Sequence, residues 1–293
     1  MKNLWDIKTI KEVLEKNNFN FSKSLGQNFL INPDVCPEMA DCAVESKNMS
    51  AIEVGPGIGI LTKELALRAK KVVSVEIDAG LLPVLDETLE EFDNIEIVND
   101  DILKIDVNKL IEKKFDGEDI AVCANLPYYI TSPVIMHFLE NHANVKKLIV
   151  MVQKEAADRL CAEVGSRESG AVTVAVNYYA KARKLFNVSK GSFHPQPKVD
   201  SAVIELEIRE KPPIEISDES FFFQMVKAAF SQRRKTAANG ISSGLGIDKG
   251  KVISAIKTAG LDVSIRAEKL TMSELAKLCK GLNEIYTSEK NDG

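Results

Sequence analysis

The chain has 293 residues, of which 45% are hydrophobic, so it can form one large domain, or a large and a small one, with an ordinary core. It has no run of about 18 apolar residues, which argues against a membrane-spanning helix, and its charged N-terminus does not resemble a secretory signal. The five cysteines form no CxxC pair and the three histidines are scattered, which argues against disulfides and a zinc site. We expect a cytoplasmic protein with free thiols, no metal ion and no membrane segment.

The formal net charge is −5, but the sign of the charge changes along the chain. Residues 1–208 carry 24 Lys and Arg against 32 Asp and Glu, whereas residues 209–293 carry 14 against 11. Residues 165–198 hold six basic residues and a single acid, Glu168. A local excess of positive charge indicates where a polyanion would bind better than the net charge does.

The first half of the chain alternates between short apolar segments and helix-like segments. A helix with one apolar face is predicted over residues 6–16. Strand-like segments follow at 51–54, 71–77, 95–98, 119–124 and 146–152. Because a helix-like segment comes after each of them, the pattern predicts a parallel sheet covered by helices, an α/β domain of the Rossmann-like type.

The pattern changes after Gly170. AVTVAVNYYAKARKLFNV and SAVIELEI resemble two long strands, which we expect to pair antiparallel at the end of the sheet. Residues 209–220 form a polar joint with two prolines, and FFFQMVKAAF, KVISAIKTAG and TMSELAKLCKGL beyond it predict helices. We therefore expect a large α/β domain over residues 1–208 and a small helical domain over residues 209–293.

Three successive strand ends carry residues suited to a nucleoside. Gly55, Gly57 and Gly59 follow the first strand of the alternation, where glycines allow a sharp turn and close approach of a ligand to the backbone. Glu76 ends the next strand and can accept both hydroxyls of a ribose, and Asp101 follows the third and can accept an adenine amino hydrogen. The glycines alone are also compatible with a tight turn that binds nothing. Since no GKS or GKT follows them, the series favours S-adenosyl-L-methionine, which has a ribose and an adenine but no phosphate.

The segment NLPYYITSPVI, residues 125–135, follows the fourth strand. Asn125 supplies a side-chain carbonyl oxygen, Leu126 a backbone carbonyl in a turn stiffened by Pro127, and Tyr128 an aromatic face. Two acceptors and a ring can hold a planar base that bears an amino group. The acceptors would also draw that nitrogen towards a tetrahedral geometry and stabilise the positive charge that develops on it during attack on a methyl group. The segment therefore predicts a site for methylation of adenine, although it is also compatible with a proline turn beside core tyrosines.

Seven segments resemble, in order, those of the ribosomal RNA adenine dimethyltransferase family of KsgA/Dim type, and they are similar also to the Erm resistance methyltransferases. They are KSLGQNFL, IEVGPGIGILT, VEID, NDDIL, NLPYYITSPVI, VQKEAADRL and FHPQPKVDSAV, within residues 23–203. The resemblance implies a class I S-adenosylmethionine-dependent methyltransferase sheet with a small helical domain. It implies N6-dimethylation of two adjacent adenosines in a hairpin near the 3′ end of small-subunit (16S) rRNA, with a role in small-subunit biogenesis.

The resemblance also implies roles for individual residues. Those that would bind the cofactor are Gln27, Asn28, Leu30, Gly55, Gly57, Glu76, Asp101 and Asn125. Those that would hold the target adenine are Asn125, Leu126, Tyr128 and Phe193. Phe193 would replace the stacking that a base loses when it leaves an RNA helix. This role of Phe193 rests on the resemblance alone, because the segment FHPQPKV by itself indicates only a rigid proline loop.

Two basic clusters are candidates for contacts with RNA phosphates. They are Lys181, Arg183 and Lys184, and, in SQRRKT, Arg233, Arg234 and Lys235. Each cluster can instead be a solvated face. We expect the helical domain to dock on an immature small ribosomal subunit and the chain to act as a monomer. The acidic net charge predicts that the protein prefers an assembled or partly assembled particle to naked RNA.

Three other functions stay open on the sequence. An Erm-like enzyme, acting on one adenosine of large-subunit rRNA, would have nearly the same active site. A ribosome-assembly factor that only binds would be expected to lose Asn125 or the glycine loop, and neither is lost. An NAD-dependent oxidoreductase is disfavoured by the GxGxG spacing, by Asp101 and by the NLPY motif.

Overall fold

The computed structural model describes residues 3–19, 29–232 and 234–291. They fall into two compact units, Met1–Ala157 with Lys181–Ile208, and Asp158–Ala180 with Arg209–Gly293. The sequence pattern placed one boundary after residue 208, and the structure differs from it by grouping Asp158–Ala180 with the later helices. In the described part of the chain, no helix is long and apolar enough to cross a membrane.

The first unit is built on a mixed sheet. The strands are β1 (Phe29–Leu30), β2 (Ser50–Val54), β3 (Val72–Glu76), β4 (Ile95–Asn99), β5 (Ile120–Asn125), β6 (Lys147–Gln153), β7 (Ala180–Val188), β8 (Phe193–His194) and β9 (Ser201–Ile208). Within the described ranges, seven of them form one sheet in the spatial order β4-β3-β2-β5-β6-β9-β7, and β1 pairs antiparallel with β8. The pairs β4-β3, β3-β2, β2-β5 and β5-β6 are all parallel, as the alternating pattern predicted.

Helices connect these strands. They are α1 (Ile7–Lys16), α2 (Val35–Ala43), α3 (Ile60–Ala66), α4 (Leu82–Thr88), α5 (Val107–Lys114), α6 (Thr131–Glu140) and α7 (Lys154–Leu160). The predicted N-terminal helix is confirmed as α1. Asp6 caps it, since its carboxylate accepts a hydrogen bond from the Thr9 backbone N–H at 2.9 Å, and Ile10, Val13 and Leu14 are buried on its apolar face.

The end of the sheet is antiparallel, as expected. β9 runs antiparallel to β6, from the pair Lys147 and Glu207 to the pair Gln153 and Ser201. β7 lies beside β9 at the edge. Ion pairs join Lys181 to Glu207 and Arg183 to Glu205. Residue numbers therefore increase along β7 in the direction in which they decrease along β9, so the two strands are antiparallel.

The segment 171–179 is a helix, α8 (Ala171–Tyr179), and the prediction of one long strand over 171–188 is wrong for that half. An uninterrupted apolar run does not distinguish a buried strand from a buried helix. Polar side chains decide the outcome: Thr173 Oγ1 accepts from the Gly170 N–H at 3.0 Å and donates to the Arg159 carbonyl at 2.8 Å. Asn177 Nδ2 donates to the Thr173 carbonyl at 2.9 Å.

The second unit contains α8 together with four later helices. They are α9 (Glu219–Phe230), α10 (Ala237–Leu245), α11 (Lys249–Thr258) and α12 (Met272–Asn291). The three helices predicted after the joint are confirmed, whereas α10 was not predicted. Tyr178 and Tyr179 of α8 pack against Phe222 and Phe223 of α9, and both tyrosine hydroxyls donate to Glu219. These contacts explain why the segment Asp158–Ala180 groups with the later helices.

The strand order of the first unit reverses beside β2. From β2 the chain proceeds outward through β3 and β4 on one side, and β5 and β6 then lie on the other side. In open α/β sheets, ligands bind outside the carboxyl ends of the strands at such a reversal. The glycine loop follows β2 and the NLPYY segment follows β5, so the topology places both at that point.

Candidate active site

The loop after β2 exposes its backbone through three glycines. Gly55, Gly57 and Gly59 have φ values of +70°, +60° and +87°, which L-residues with a side chain rarely adopt. At Gly55 no heavy atom of the described residues, its chain neighbours aside, lies within 4 Å of where a Cβ would stand, so the backbone there is open to a ligand. At Gly59 a Cβ would lie 3.0 Å from Leu89, so a side chain there would also crowd this neighbour.

Glu76 ends β3 and holds the glycine loop from the side. Its Oε2 accepts a hydrogen bond from the Gly57 N–H at 3.3 Å, and its Oε1 accepts one from the Asp78 N–H at 2.8 Å. The side chain is buried, and this burial raises the pKa of Glu76 although the two backbone donors oppose the shift. Among the described residues each oxygen accepts one such hydrogen bond, which leaves the carboxylate able to accept further donors from a bound diol.

Asp101 follows β4 and is half-buried. Its Oδ1 accepts from the Leu103 N–H at 3.1 Å, and its Oδ2 lies 3.3 Å from Lys104 Nζ, which is largely exposed. An exposed ion pair of this kind is worth at most about 1 kcal/mol. Asp101 can therefore exchange that partner for a ligand donor at small cost.

The segment after β5 is a tight turn that leads into α6. The Ile130 N–H donates to the Pro127 carbonyl at 3.1 Å, which closes the turn. Asn125 is half-buried at the end of β5, Leu126 is buried, and the Tyr128 hydroxyl lies 3.0 Å from Ser201 Oγ. The turn thus places an amide side chain, a backbone carbonyl and a hydrogen-bonded ring at the end of β5, the strand that lies beside β2.

Phe193 reaches the site through the β1-β8 pairing, in which it lies opposite Leu30. The pairing is extended by the Ile31 N–H, which donates to the Ser192 carbonyl at 2.8 Å, and by Asn32 Nδ2, which donates to Ser192 Oγ at 3.2 Å. Phe193 has only 4% of its surface exposed. The proline loop that the sequence indicated therefore supplies a buried ring to the site.

These elements surround one cavity of about 380 Å³, within the usual range for small-molecule sites. The described residues predicted to bind a cofactor all line it: Leu30, Gly55, Gly57, Glu76, Asp101 and Asn125. The residues predicted to hold the adenine line it as well: Asn125, Leu126, Tyr128 and Phe193. Gln27 and Asn28 lie outside the described residues. A group of three or more His, Cys, Asp or Glu side chains that could hold a metal ion does not occur in the described ranges.

Glu53 also lines this cavity, but it was not among the site residues predicted from the sequence. It is 1% exposed in β2, and its Oε2 accepts a hydrogen bond from Ser74 Oγ at 2.7 Å. Burial is the main cause that raises the pKa of Glu53 to about 7, and the nearby charge of Glu76 adds to it. The sequence does contain a signal for this residue. Glu53 is an acid inside the apolar strand that precedes the glycine loop, and a buried acid is costly unless it has a partner or a role.

The basic residues predicted to contact RNA phosphates differ in their surroundings. Lys181 and Arg183 are engaged in the ion pairs with Glu207 and Glu205, so their charge is already partnered on the sheet edge. Lys184 is exposed on the same strand. In the second unit Arg234 and Lys235 are exposed between α9 and α10, and Arg233 lies outside the described residues.

The topology and the cavity define an α/β fold with a ligand cavity at the carboxyl edge of its sheet, and the comparisons identify its type. The family model described as "Ribosomal RNA adenine dimethylase" matches residues 18–284. The chain therefore belongs to the ribosomal RNA adenine dimethylase family. The resemblance of its seven segments to those of the KsgA/Dim-type enzymes is confirmed.

Two similar relatives carry the name "Ribosomal RNA small subunit methyltransferase A". The protein of Anoxybacillus flavithermus is 47% identical over 283 residues, covering 95% of this chain and 96% of its own length. That of Alkaliphilus oremlandii is 46% identical over 276 residues, covering 94% and 96%.

Solved structures agree on the fold. A dimethyladenosine transferase from Plasmodium falciparum has a TM-score of 0.68 and 25% identity, covering 87% of this chain and 98% of that one. The 23S rRNA methyltransferase ErmE has a TM-score of 0.65 and 27% identity, covering 87% and 100%. The expected class I methyltransferase sheet is therefore confirmed.

Proposed function

We propose that this chain dimethylates N6 of two adjacent adenosines in a hairpin near the 3′ end of small-subunit rRNA, with S-adenosyl-L-methionine as methyl donor. One observation carries the proposal. The cavity brings Asn125, Leu126 and Tyr128 to the same space as the glycine loop and Glu76, so one pocket has acceptors for an amino-bearing base and for a nucleoside. The relatives at 46–47% identity, named for the small subunit, support that target over the large subunit.

The residues of the cavity suit this cofactor. Open backbone at Gly55 admits the methionine portion, the fixed carboxylate of Glu76 accepts the ribose hydroxyls, and Asp101 accepts the adenine amine. Gly57 and Leu30 complete the wall. When bound, the cofactor supplies an electrophilic methyl group on a positively charged sulfur. We propose that Gln27 and Asn28 lie over it.

The target base is held by acceptors and rings. The Asn125 side-chain oxygen and the Leu126 carbonyl would accept the two amino hydrogens of adenine, with Tyr128 and Phe193 on its two faces. Accepting both hydrogens withdraws the nitrogen lone pair from the ring and favours the developing positive charge. Orientation of the nitrogen towards the methyl group supplies much of the remaining rate enhancement. The alkylated nitrogen is acidic and loses its proton to water, so no strong side-chain base is required.

Docking on the ribosomal particle is the second part of the proposal. The exposed Arg234 and Lys235 of the helical unit, with the neighbouring Arg233, would contact phosphates. Lys181, Arg183 and Lys184 remain candidates, although the first two would have to leave carboxylate partners. We propose that the chain acts as a cytoplasmic monomer on an immature small subunit and prefers it to naked RNA.

A labelling experiment tests the reaction and its target. Undermethylated small subunits and, separately, large-subunit rRNA are offered with tritiated S-adenosylmethionine, and Asn125→Ala serves as the inactive control. We expect label in small-subunit RNA as N6,N6-dimethyladenosine, and its loss in the variant. Label confined to large-subunit RNA would assign the Erm-type activity instead, and absence of label in both would leave a role as a binding factor.

A further inference from the structure

Exposed apolar side chains are concentrated at the mouth of the cavity. Of the six large apolar residues that are exposed in the described part of the chain, three line this cavity: Ile77 at 55%, Leu103 at 37% and Tyr129 at 60%. Ile77 and Leu103 follow β3 and β4, next to the acids proposed for the cofactor. Tyr129 stands on the other side, in the turn after β5 that is proposed to hold the target base.

Tyr129 lacks the hydrogen bond that holds the ring of its neighbour Tyr128. The Tyr128 hydroxyl pairs with Ser201, whereas Tyr129 has no hydrogen bond, ion pair or ring contact with any other described residue. Its side chain therefore contributes little to the stability of the fold. A single exposed apolar residue is ordinary on a protein surface. An aromatic ring at the rim of this cavity, with no polar or ring contact among the described residues, is a candidate for contact with a ligand.

The backbone that carries Tyr129 is nevertheless fixed. Pro127 sets one φ angle, its carbonyl accepts from the Ile130 N–H at 3.1 Å, and Thr131 Oγ1 lies 3.4 Å from the same carbonyl. The ring thus starts from a rigid base and has only two side-chain torsions to order. Such a residue provides contact area at low entropic cost.

We propose that Tyr129 is the stacking platform of a second nucleobase subsite, which receives the base next to the adenosine being methylated. The proposal rests on the function proposed above. When the target adenosine leaves the RNA stack, its neighbour loses one stacking partner. An aromatic ring just outside the pocket can cover that face, and stacking tolerates any base because every base has a π-face.

The loop that carries Phe193 adds suitable charges. Lys190 and Lys198 are exposed on either side of Phe193 in the chain, and neither has an ion-pair partner among the described residues. They differ in this from Lys181 and Arg183, which are paired. Unpaired cations beside a nucleobase site suit the phosphates of the same RNA strand.

Substitutions at Tyr129 test the subsite. We compare Tyr129→Ala and Tyr129→Phe with the wild type on undermethylated small subunits at saturating S-adenosylmethionine. Leu67→Ala, at an exposed position outside the cavity, is the matched control. Stacking is worth about 1–3 kcal/mol per base, so Tyr129→Ala should lower kcat/KM for the particle about 5- to 150-fold. Tyr129→Phe and the control should stay within about twofold of the wild type, because the ring rather than the hydroxyl is required.

A second readout separates this role from cofactor binding. The Kd of S-adenosylmethionine, measured by calorimetry, should be the same for the wild type and both Tyr129 variants. Unchanged kcat/KM in Tyr129→Ala would overturn the subsite, and so would a cofactor Kd weakened by the same factor as kcat/KM. A loss in Tyr129→Phe as large as in Tyr129→Ala would also overturn it. If the wild type itself fails to label small subunits, the proposed function fails and the subsite with it.

Discussion

The hydroxyl groups of Tyr128 and Ser201 lie 3.0 Å apart. Ser201 is fully buried at the start of β9, where it pairs in register with Gln153 of β6. Tyr128 belongs to the turn after β5. The ring proposed to stack on the target adenine is therefore held by the antiparallel strand, so the end of the sheet supports the active site directly.

This contact predicts a positioning effect on catalysis. Either Ser201→Ala or Tyr128→Phe removes one hydrogen bond, worth about 0.5–1.5 kcal/mol, and should lower kcat about 2- to 10-fold. Because the two changes remove the same interaction, the double variant should be no worse than the poorer single one. Kinetics of the four proteins on small subunits form the cycle, and additive losses would show that the hydroxyl pair does not act as a unit.

Glu76→Gln should weaken cofactor binding. The carboxylate accepts from the Gly57 and Asp78 backbone N–H groups, and a glutamine side chain would replace one acceptor by an NH₂ donor facing such a group. Hydrogen bonds to charged groups are worth about 1.5–3 kcal/mol, so the Kd of S-adenosylmethionine should rise about 10- to 150-fold. Calorimetry measures this, with Glu112→Gln on the exposed face of α5 as control. An unchanged Kd would remove Glu76 from the cofactor site.

The sheet and the nucleoside half of the cavity were predictable from the sequence for a physical reason. Parallel strands deliver their carboxyl ends to one edge, so Gly55, Glu76, Asp101 and Asn125 had to converge once their strands were recognised. The convergence of Phe193 was not predictable in this way. It depends on the pairing of β8 with β1, which is remote in sequence and involves only two residues on each strand.

Two helices, α8 and α10, were not predicted from the sequence, and the reasons are opposite. The run 171–179 is apolar throughout, so period alone did not separate strand from helix, and the hydrogen bonds of Thr173 and Asn177 decided it. The segment AANGISSGL of α10 contains Gly240 and Gly244, which lower helix propensity. In that case packing against α9 overrides propensity, and the glycines are required because the helices approach closely.

Glu53 predicts a pH dependence of stability. Its pKa of about 7 in the folded protein lies above the unfolded value near 4.3, so the folded state binds the proton more tightly. The contribution of Glu53 to stability is therefore highest below about pH 4 and is lost as pH rises towards 7, by about 4 kcal/mol in total. Glu53→Gln stays neutral, so relative to the wild type it should gain stability between about pH 5 and pH 8.

Urea unfolding of both proteins at the two pH values measures this difference. Glu112→Gln, an exposed substitution, should show the same offset from the wild type at both pH values. If the offset of Glu53→Gln is likewise independent of pH, the carboxyl is ionised in the folded state throughout, and its burial costs less than the pKa implies.

Two glycine-to-alanine changes in the second unit should have opposite signs. At Gly240 of α10 an added Cβ would lie 2.6 Å from the Ala228 carbonyl oxygen and 2.8 Å from that of Ala229, both backbone atoms of α9 that cannot move aside separately. Overpacking of this kind costs about 1–3 kcal/mol. At Gly281 of α12 the nearest atom is the Ala255 side chain at 3.9 Å, an ordinary contact. There alanine should stabilise by up to about 1 kcal/mol, the difference in helix propensity. Thermal unfolding of Gly240→Ala, Gly281→Ala and the wild type tests both signs, and a neutral Gly240→Ala would mean that α9 and α10 can separate without cost.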